Sequence, residues 1–282
     1  AVSYTAVKAF ASLDYTGLIL LSNGATYSSG ALNDSGGNPL NVAIFTSSLK
    51  KPTLQMNYET DTYSFQNPNG GGTLKYKRTY IDGTETVNDE GEMSNTTFNI
   101  DGRPDYFEVW VEANGNSSDK LYACRLVVED MTTTYGGTVP DPVFLPKSVE
   151  GVTVSGYSLG DHTEVAATVT EGNITLTGAG RQELDAIFSI PDGVEYIKTS
   201  TTETPKATFF LDVKPATPIL SKATGSYAGT QTITVTNLTP NATAMYYTYE
   251  GEEPENPNAQ AFPEGGVDIS SSKTLAVYYV AS

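Results

Sequence analysis

The chain has 282 residues and carries 16 Lys+Arg against 33 Asp+Glu, a formal charge of −17; at about 150 residues per domain, this length allows one to three domains with cores of their own. Phosphate backbones are held by clustered Lys and Arg, so nucleic acid is excluded as a partner, and the longest apolar runs fall far short of the roughly 18 residues of a spanning helix, which excludes membrane insertion. Charged residues make up only 17% of the chain, against about 25% in an average soluble domain, and the polarity is carried by Thr, Ser, Asn, Gly and Tyr, a strand-and-turn composition.

Apolar positions alternate with period two, and no uninterrupted helical stripe occurs. Short strands are predicted at 40–46, 53–58 and 73–81, set apart by Gly, Asn, Asp and Pro clusters. The run 97–112 gives two strands broken at Asp101-Gly102, with Phe107, Val109 and Val111 on one face and Tyr106, Glu108, Trp110 and Glu112 on the other. Residues 121–128 read as the return strand of a hairpin across Asn114-Gly115-Asn116. The segment 131–146 combines Pro, Gly and small polar residues and reads as a linker. Strands follow at 152–155, 164–170, 173–177, 185–190 and 207–213, then a second linker at 212–218, then strands at 231–236 and 243–249. The expected fold is all-β, a tandem of β-sandwiches: a jelly-roll-like or large β-sandwich over 1–135, followed by two small immunoglobulin/fibronectin-like domains over 147–214 and 215–282.

Cys124 is the single cysteine and has no intrachain partner for a disulfide, so the fold is expected to hold by burial alone. Ala1 fits either a chain matured by signal-peptide cleavage or one trimmed of its initiator Met.

One motif has catalytic form: Gly156-Tyr157-Ser158-Leu159-Gly160, followed by Asp161 and the single histidine, His162. A nucleophile elbow needs a strand, a sharp turn and a helix, with its histidine arriving from a distant loop. The residues after Ser158 alternate as strands, so the motif is read as a loop and no catalytic residue is assigned. Glu108 and Glu112 share a strand face, but positions i and i+4 on a strand lie roughly 13 Å apart, too far for the paired carboxylates of glycoside hydrolysis. Asp101 with Asp105, and Asp82 with Asp89 and Glu90, lack the alternating spacing of a calcium loop. No cofactor is expected, a structural Ca²⁺ being the one left open. Gly70-Gly71-Gly72 precedes a strand rather than a helix, which argues against a phosphate cradle. Sequons at Asn95, Asn116, Asn173, Asn237 and Asn241 are what so Asn- and Thr-rich a chain contains by composition.

Aromatic residues remain, with 18 Tyr, 10 Phe and one Trp. Aromatic rings offer contact area at little entropic loss and stack on the C–H faces of sugars. Trp110 shares its strand face with Tyr106 and Glu108, and the strand 74–80 places Tyr76, Arg78 and Tyr80 together. These six residues are the candidate glycan platform.

Toward the C-terminus, Gly225-Ser226-Tyr227, Gln231-Thr232-Ile233-Thr234-Val235, the run Ala242 to Thr248 with Gly251 and Pro254, and Ser271-Ser272-Lys273-Thr274-Leu275 resemble the chitobiase/β-hexosaminidase C-terminal domain family over about 217–280, a quarter of the chain. The resemblance implies a fibronectin-like accessory sandwich of secreted bacterial carbohydrate-active enzymes and surface proteins, a non-catalytic spacer or binding module. The family pattern also continues for one strand beyond 274–280: if Ser282 is the natural end, the last sandwich has an open edge, with Ala1 to Phe10 of a neighbouring subunit as candidate donor strand, and otherwise the natural chain runs on or the domain closes with six strands.

The expected protein is a non-enzymatic structural or adhesive one, extracellular or at a cell surface as part of a fibre or layer, or else a virion component. Its expected partners are its own copies, other surface or virion proteins, and glycans. The alternative is a carbohydrate-binding accessory fragment of a secreted glycan-degrading enzyme.

Overall fold

The computed structural model describes residues 4–6, 20–22, 26–28, 31–33, 49–113, 115–242, 244–249 and 259–279. The expected strand 40–46 lies outside them, as do Ser282 and most of Ala1 to Phe10. The fold is all-β, with several sheets and no helix among the described residues. Four short strands come first: Tyr4–Ala6 (β1) pairs antiparallel with Leu20–Ser22 (β2), and Thr26–Ser28 (β3) with Ala31–Asn33 (β4). The chain forms two compact units, one of 1–126 with 190–203, the other of 127–189 with 204–282.

In the first unit, Thr53–Asn57 (β5), Thr62–Gln66 (β6) and Thr97–Asn99 (β9) form one sheet in the order β5-β6-β9. The second sheet holds Thr73–Asp82 (β7), Glu85–Glu92 (β8), Asp105–Ala113 (β10) and Leu121–Arg125 (β12) in the order β12-β10-β7-β8, with Asn116–Ser117 (β11) added to the end of β10. The predicted break at Asp101-Gly102 and the hairpin are both found. The alternation in β10 separates two faces: Phe107, Val109 and Val111 are fully buried, whereas Glu108, Trp110 and Glu112 are half-exposed. The buried face meets Tyr63 and Phe65 of β6, with Phe107 stacked obliquely 4.9 Å from Phe65 and 5.1 Å from Phe98. Burying each such side chain contributes about 1.5–3 kcal/mol.

In the second unit, Val127–Val128 (β13) pairs with Phe144–Leu145 (β15), and Ala167–Thr170 (β17) with Asn173–Leu176 (β18). Met131–Thr134 (β14), Thr153–Ser158 (β16), Gly180–Ser189 (β19) and Lys206–Lys214 (β21) form a four-stranded sheet in the order β14-β21-β19-β16. Both predicted linkers are thereby corrected: Thr132 pairs with Asp212 and Thr134 with Lys214, in parallel. Buried Met131 and Thr133 alternate with exposed Thr132 and Thr134, a period-two signal that a run of threonines conceals. The buried Gln182 fastens the approach to β17: its Oε1 accepts from the N–H groups of Val165 at 2.7 Å and Ala166 at 3.2 Å, and its Nε2 donates to the carbonyls of Thr163 and Glu183.

Between β19 and β21 the chain returns to the first unit, where Val194–Tyr196 (β20) pairs in parallel with β12 and Ile197 joins the core. The remaining strands of the second unit are Gln231–Ile233 (β22) paired with Val267–Ile269 (β25), and Met245–Tyr249 (β23) between Gln260–Ala261 (β24) and Leu275–Tyr279 (β26). Ile233 and Val267 are buried here.

Candidate functional site

The pairing of β7 with β10 divides the six expected platform residues between opposite faces of the sheet. Register partners share a face, and Phe107 lies opposite Arg78, Val109 opposite Tyr76 and Asp105 opposite Tyr80, so Tyr76, Arg78 and Tyr80 belong to the inward face. Trp110 is paired with Lys75, Glu108 with Lys77 and Tyr106 with Thr79, all on the outward face. A single platform of six residues is therefore corrected to two separate groups.

The inward group is a fastener. Arg78 holds Asp105 at two points, and Tyr63 donates its hydroxyl to the same carboxylate at 3.0 Å. The guanidinium also lies over the rings of Tyr80, Phe107 and Phe98 at 4.2, 5.1 and 5.2 Å. Burial pushes the Asp105 carboxyl above the usual carboxylate range, against the opposing pull of Arg78 and Tyr63. Tyr76 donates to Asp89 at 2.7 Å, and that bond raises its phenol.

The outward group lies on a surface laced with ion pairs. Lys75 meets Glu92 at 2.7 Å, Lys77 meets Glu90 at 3.1 Å and Lys120 meets Glu108 at 2.7 Å. Trp110 donates its Nε1–H to Glu112 at 2.8 Å, and the Lys120 ammonium lies 5.3 Å from its ring centre. Of this face, Tyr106 is buried, and burial followed by the charge of Glu108 pushes its phenol up. Trp110 and Tyr122 stay half-exposed, so these two rings, not Tyr106, form what aromatic surface the face presents. The neighbouring thiol of Cys124 is buried and pushed up to about 12 by that burial.

The Gly156–Gly160 motif ends β16, and no helix follows it among the described residues. The Ser158 hydroxyl accepts from the Gly160 N–H at 3.0 Å, capping a turn in which Gly160 has φ +59. His162 lies near Glu183 at 3.4 Å and Asp185 at 3.7 Å. Asp185 is buried, bonded to Lys206 at 2.7 Å and Thr208 at 2.8 Å. Burial pushes its carboxyl up, but these bonds and the Lys206 charge outweigh it and hold the group below the usual range. This buried acid is a feature that sequence reasoning missed; its signal was an Asp between Leu184 and Ala186 inside an apolar strand.

Among the described residues no three His, Cys, Asp or Glu side chains converge as metal ligands. Asp105 is engaged by Arg78, Asp101 by Arg103, Glu90 by Lys77 and Asp89 by Tyr76.

The chain matches no known protein family, and no curated protein matches it. It is similar to the crystal structure of the chicken CNTN1 FN1–FN3 domains at 10% identity, over 80% of this chain and 88% of that one, with a TM-score of 0.19. At that score the likeness carries no argument, and the fold class rests on the strands themselves.

Proposed function

We propose that the chain is a non-enzymatic structural or adhesive protein, displayed on an exterior surface or built into an assembly such as a cell-surface fibre, a surface layer or a virion. One observation supports this reading above others: the acids and the serine weighed above as candidates for chemistry are fastened to partners that serve the scaffold. Asp105 is held by Arg78, Glu108 by Lys120, Glu112 by Trp110, Asp185 by Lys206 and Ser158 by the Gly160 N–H. Groups committed in this way stiffen sheets rather than meet a substrate. Sedimentation velocity across a concentration series, with electron microscopy of the same samples, tests the reading. Ordered self-association is expected; a chain monomeric at every concentration would overturn it.

A second reading, a carbohydrate-binding fragment of a secreted glycan-degrading enzyme, is favoured by the half-exposed Trp110 with Lys120 above its ring. Retention on a polysaccharide affinity gel that disappears in Trp110→Ala would support it over the first.

A further inference from the structure

Residues 215–282 contain five Glu and one Asp but only two cations, Lys222 and Lys273. Strands β22, β25 and β26 bring both cations to one groove of about 410 Å³, lined by the segments 220–231 and 269–275. Of the other lysines, Lys75, Lys77, Lys120 and Lys206 each have a carboxylate within 3.1 Å, whereas Lys50, Lys51, Lys198 and Lys214 show no ion pair among the described residues. Among the described residues Lys222 and Lys273 have none. Each ammonium lies over a tyrosine ring instead, Lys222 at 5.2 Å from Tyr227 and Lys273 at 4.2 Å from Tyr249.

The groove wall is a fixed aromatic. Tyr227 is 49% exposed, yet its hydroxyl donates to the Ala223 carbonyl at 2.8 Å. Its ring also packs on Gly225, where an added β-carbon would lie 3.5 Å from the ring. A large exposed ring fixed at its hydroxyl end loses little freedom when something settles on it. Ser226, Ser270, Ser271 and Ser272 are among the other lining residues, beside the apolar Ile233 and Ile269.

We propose that this groove binds a carboxylated saccharide of the uronic acid class. The carboxylate sits between Lys222 and Lys273, the C–H face of the sugar ring lies on Tyr227, and the serines exchange hydrogen bonds with its hydroxyls. Two ammonium groups with no acid partner among the described residues favour an anion. The exposed ring and the hydroxyl lining select a polyhydroxylated ring over a bare ion. The site deepens the adhesive side of the proposed function, on which it rests, and shares no residue with the Trp110 face.

Calorimetric titration of the full chain with trigalacturonate at low salt tests the proposal, with maltotriose and triglutamate as controls. Trigalacturonate should bind more tightly than either control, and added salt should weaken it. Lys222→Ala, Lys273→Ala and Tyr227→Ala should each weaken it about tenfold or more, while their melting temperatures stay at the parent value. The proposal is overturned if trigalacturonate does not bind, if it binds the lysine variants unchanged, or if triglutamate binds as tightly. Sedimentation of the same samples keeps the readings apart: a chain that assembles without binding sinks the groove alone, and one that binds without assembling sinks the assembly alone.

Discussion

Arg78 clasps the carboxylate of Asp105 across neighbouring strands, Nε to Oδ1 at 2.9 Å and Nη2 to Oδ2 at 2.5 Å, with both side chains mostly buried. Parallel two-point contact is the strongest geometry open to this pair, and it sits beside the aromatic core. Removing one partner strands the other without water.

Arg78→Met should therefore destabilise the chain by about 3–5 kcal/mol near neutral pH, read as a lower urea midpoint. Burial already raises the Asp105 carboxyl, and without the guanidinium it rises further. A folded-state value above the unfolded one, about 3.9, contributes stability below that pH and loses it as pH rises through the folded value. The variant should accordingly approach the parent's stability toward about pH 4 and fall behind as pH rises. A deficit that does not change with pH would count against a buried ionised Asp105.

Asp185 has the opposite sign. Its carboxyl lies below the usual range despite burial, because Lys206 and Thr208 bond its ionised form. Its contribution is present above about 3.9 and lost as pH falls through the lower folded value. Acid melts of the parent should show this loss, and Asp185→Asn should flatten it while lowering stability at neutral pH. Equal slopes in the two proteins would remove Asp185 from the acid response.

Gln182→Leu should leave the buried N–H of Ala166, and the part-buried Val165 N–H and Thr163 carbonyl, without their partner. At about 1–3 kcal/mol for each such buried group, the urea midpoint should fall strongly, and amide exchange should speed up at Val165 and Ala166 first. Unchanged exchange there would show that the loop is held by other means.

Two neighbouring glycines should respond differently. Gly72 has φ +86, and a β-carbon there would meet Val111 Cγ1 at 2.8 Å and the Glu112 carbonyl at 2.9 Å, whereas at Gly70 it meets nothing within 4 Å. Gly72→Ala should destabilise by about 1–3 kcal/mol, and Gly70→Ala should lie within about 0.5 kcal/mol of the parent. Thermal melts of the pair give the comparison directly.

Much of the strand order was legible where one face is buried. In β10 the sequence F-E-V-W-V-E shows its inner and outer residues in turn, and Trp110 falls outward as read. Strand β8, E-T-V-N-D-E-G-E, escaped because it is an edge almost wholly in solvent and has no apolar period to show. Tyr76, Arg78 and Tyr80 were grouped correctly on one side of β7, but their face was hidden. Arg78 stands in a core row that starts at Leu74, and only the register with Phe107 and Asp105 explains a cation there. Pairings between distant segments, β14 with β21 and β12 with β20, are set by tertiary packing and leave no local mark.

The return of residues 190–203 to the first unit bears on how the chain is made. Ile197 and β20 leave the ribosome after residues 127–189, so the first unit stays unfinished throughout that interval. A polypeptide released near residue 126 would expose Leu121 and Ala123 along a sheet lacking its last strand. In nascent chains the first unit should therefore gain protease resistance only once residue 203 has emerged, and the second later still, after β21 and the residues beyond it have followed.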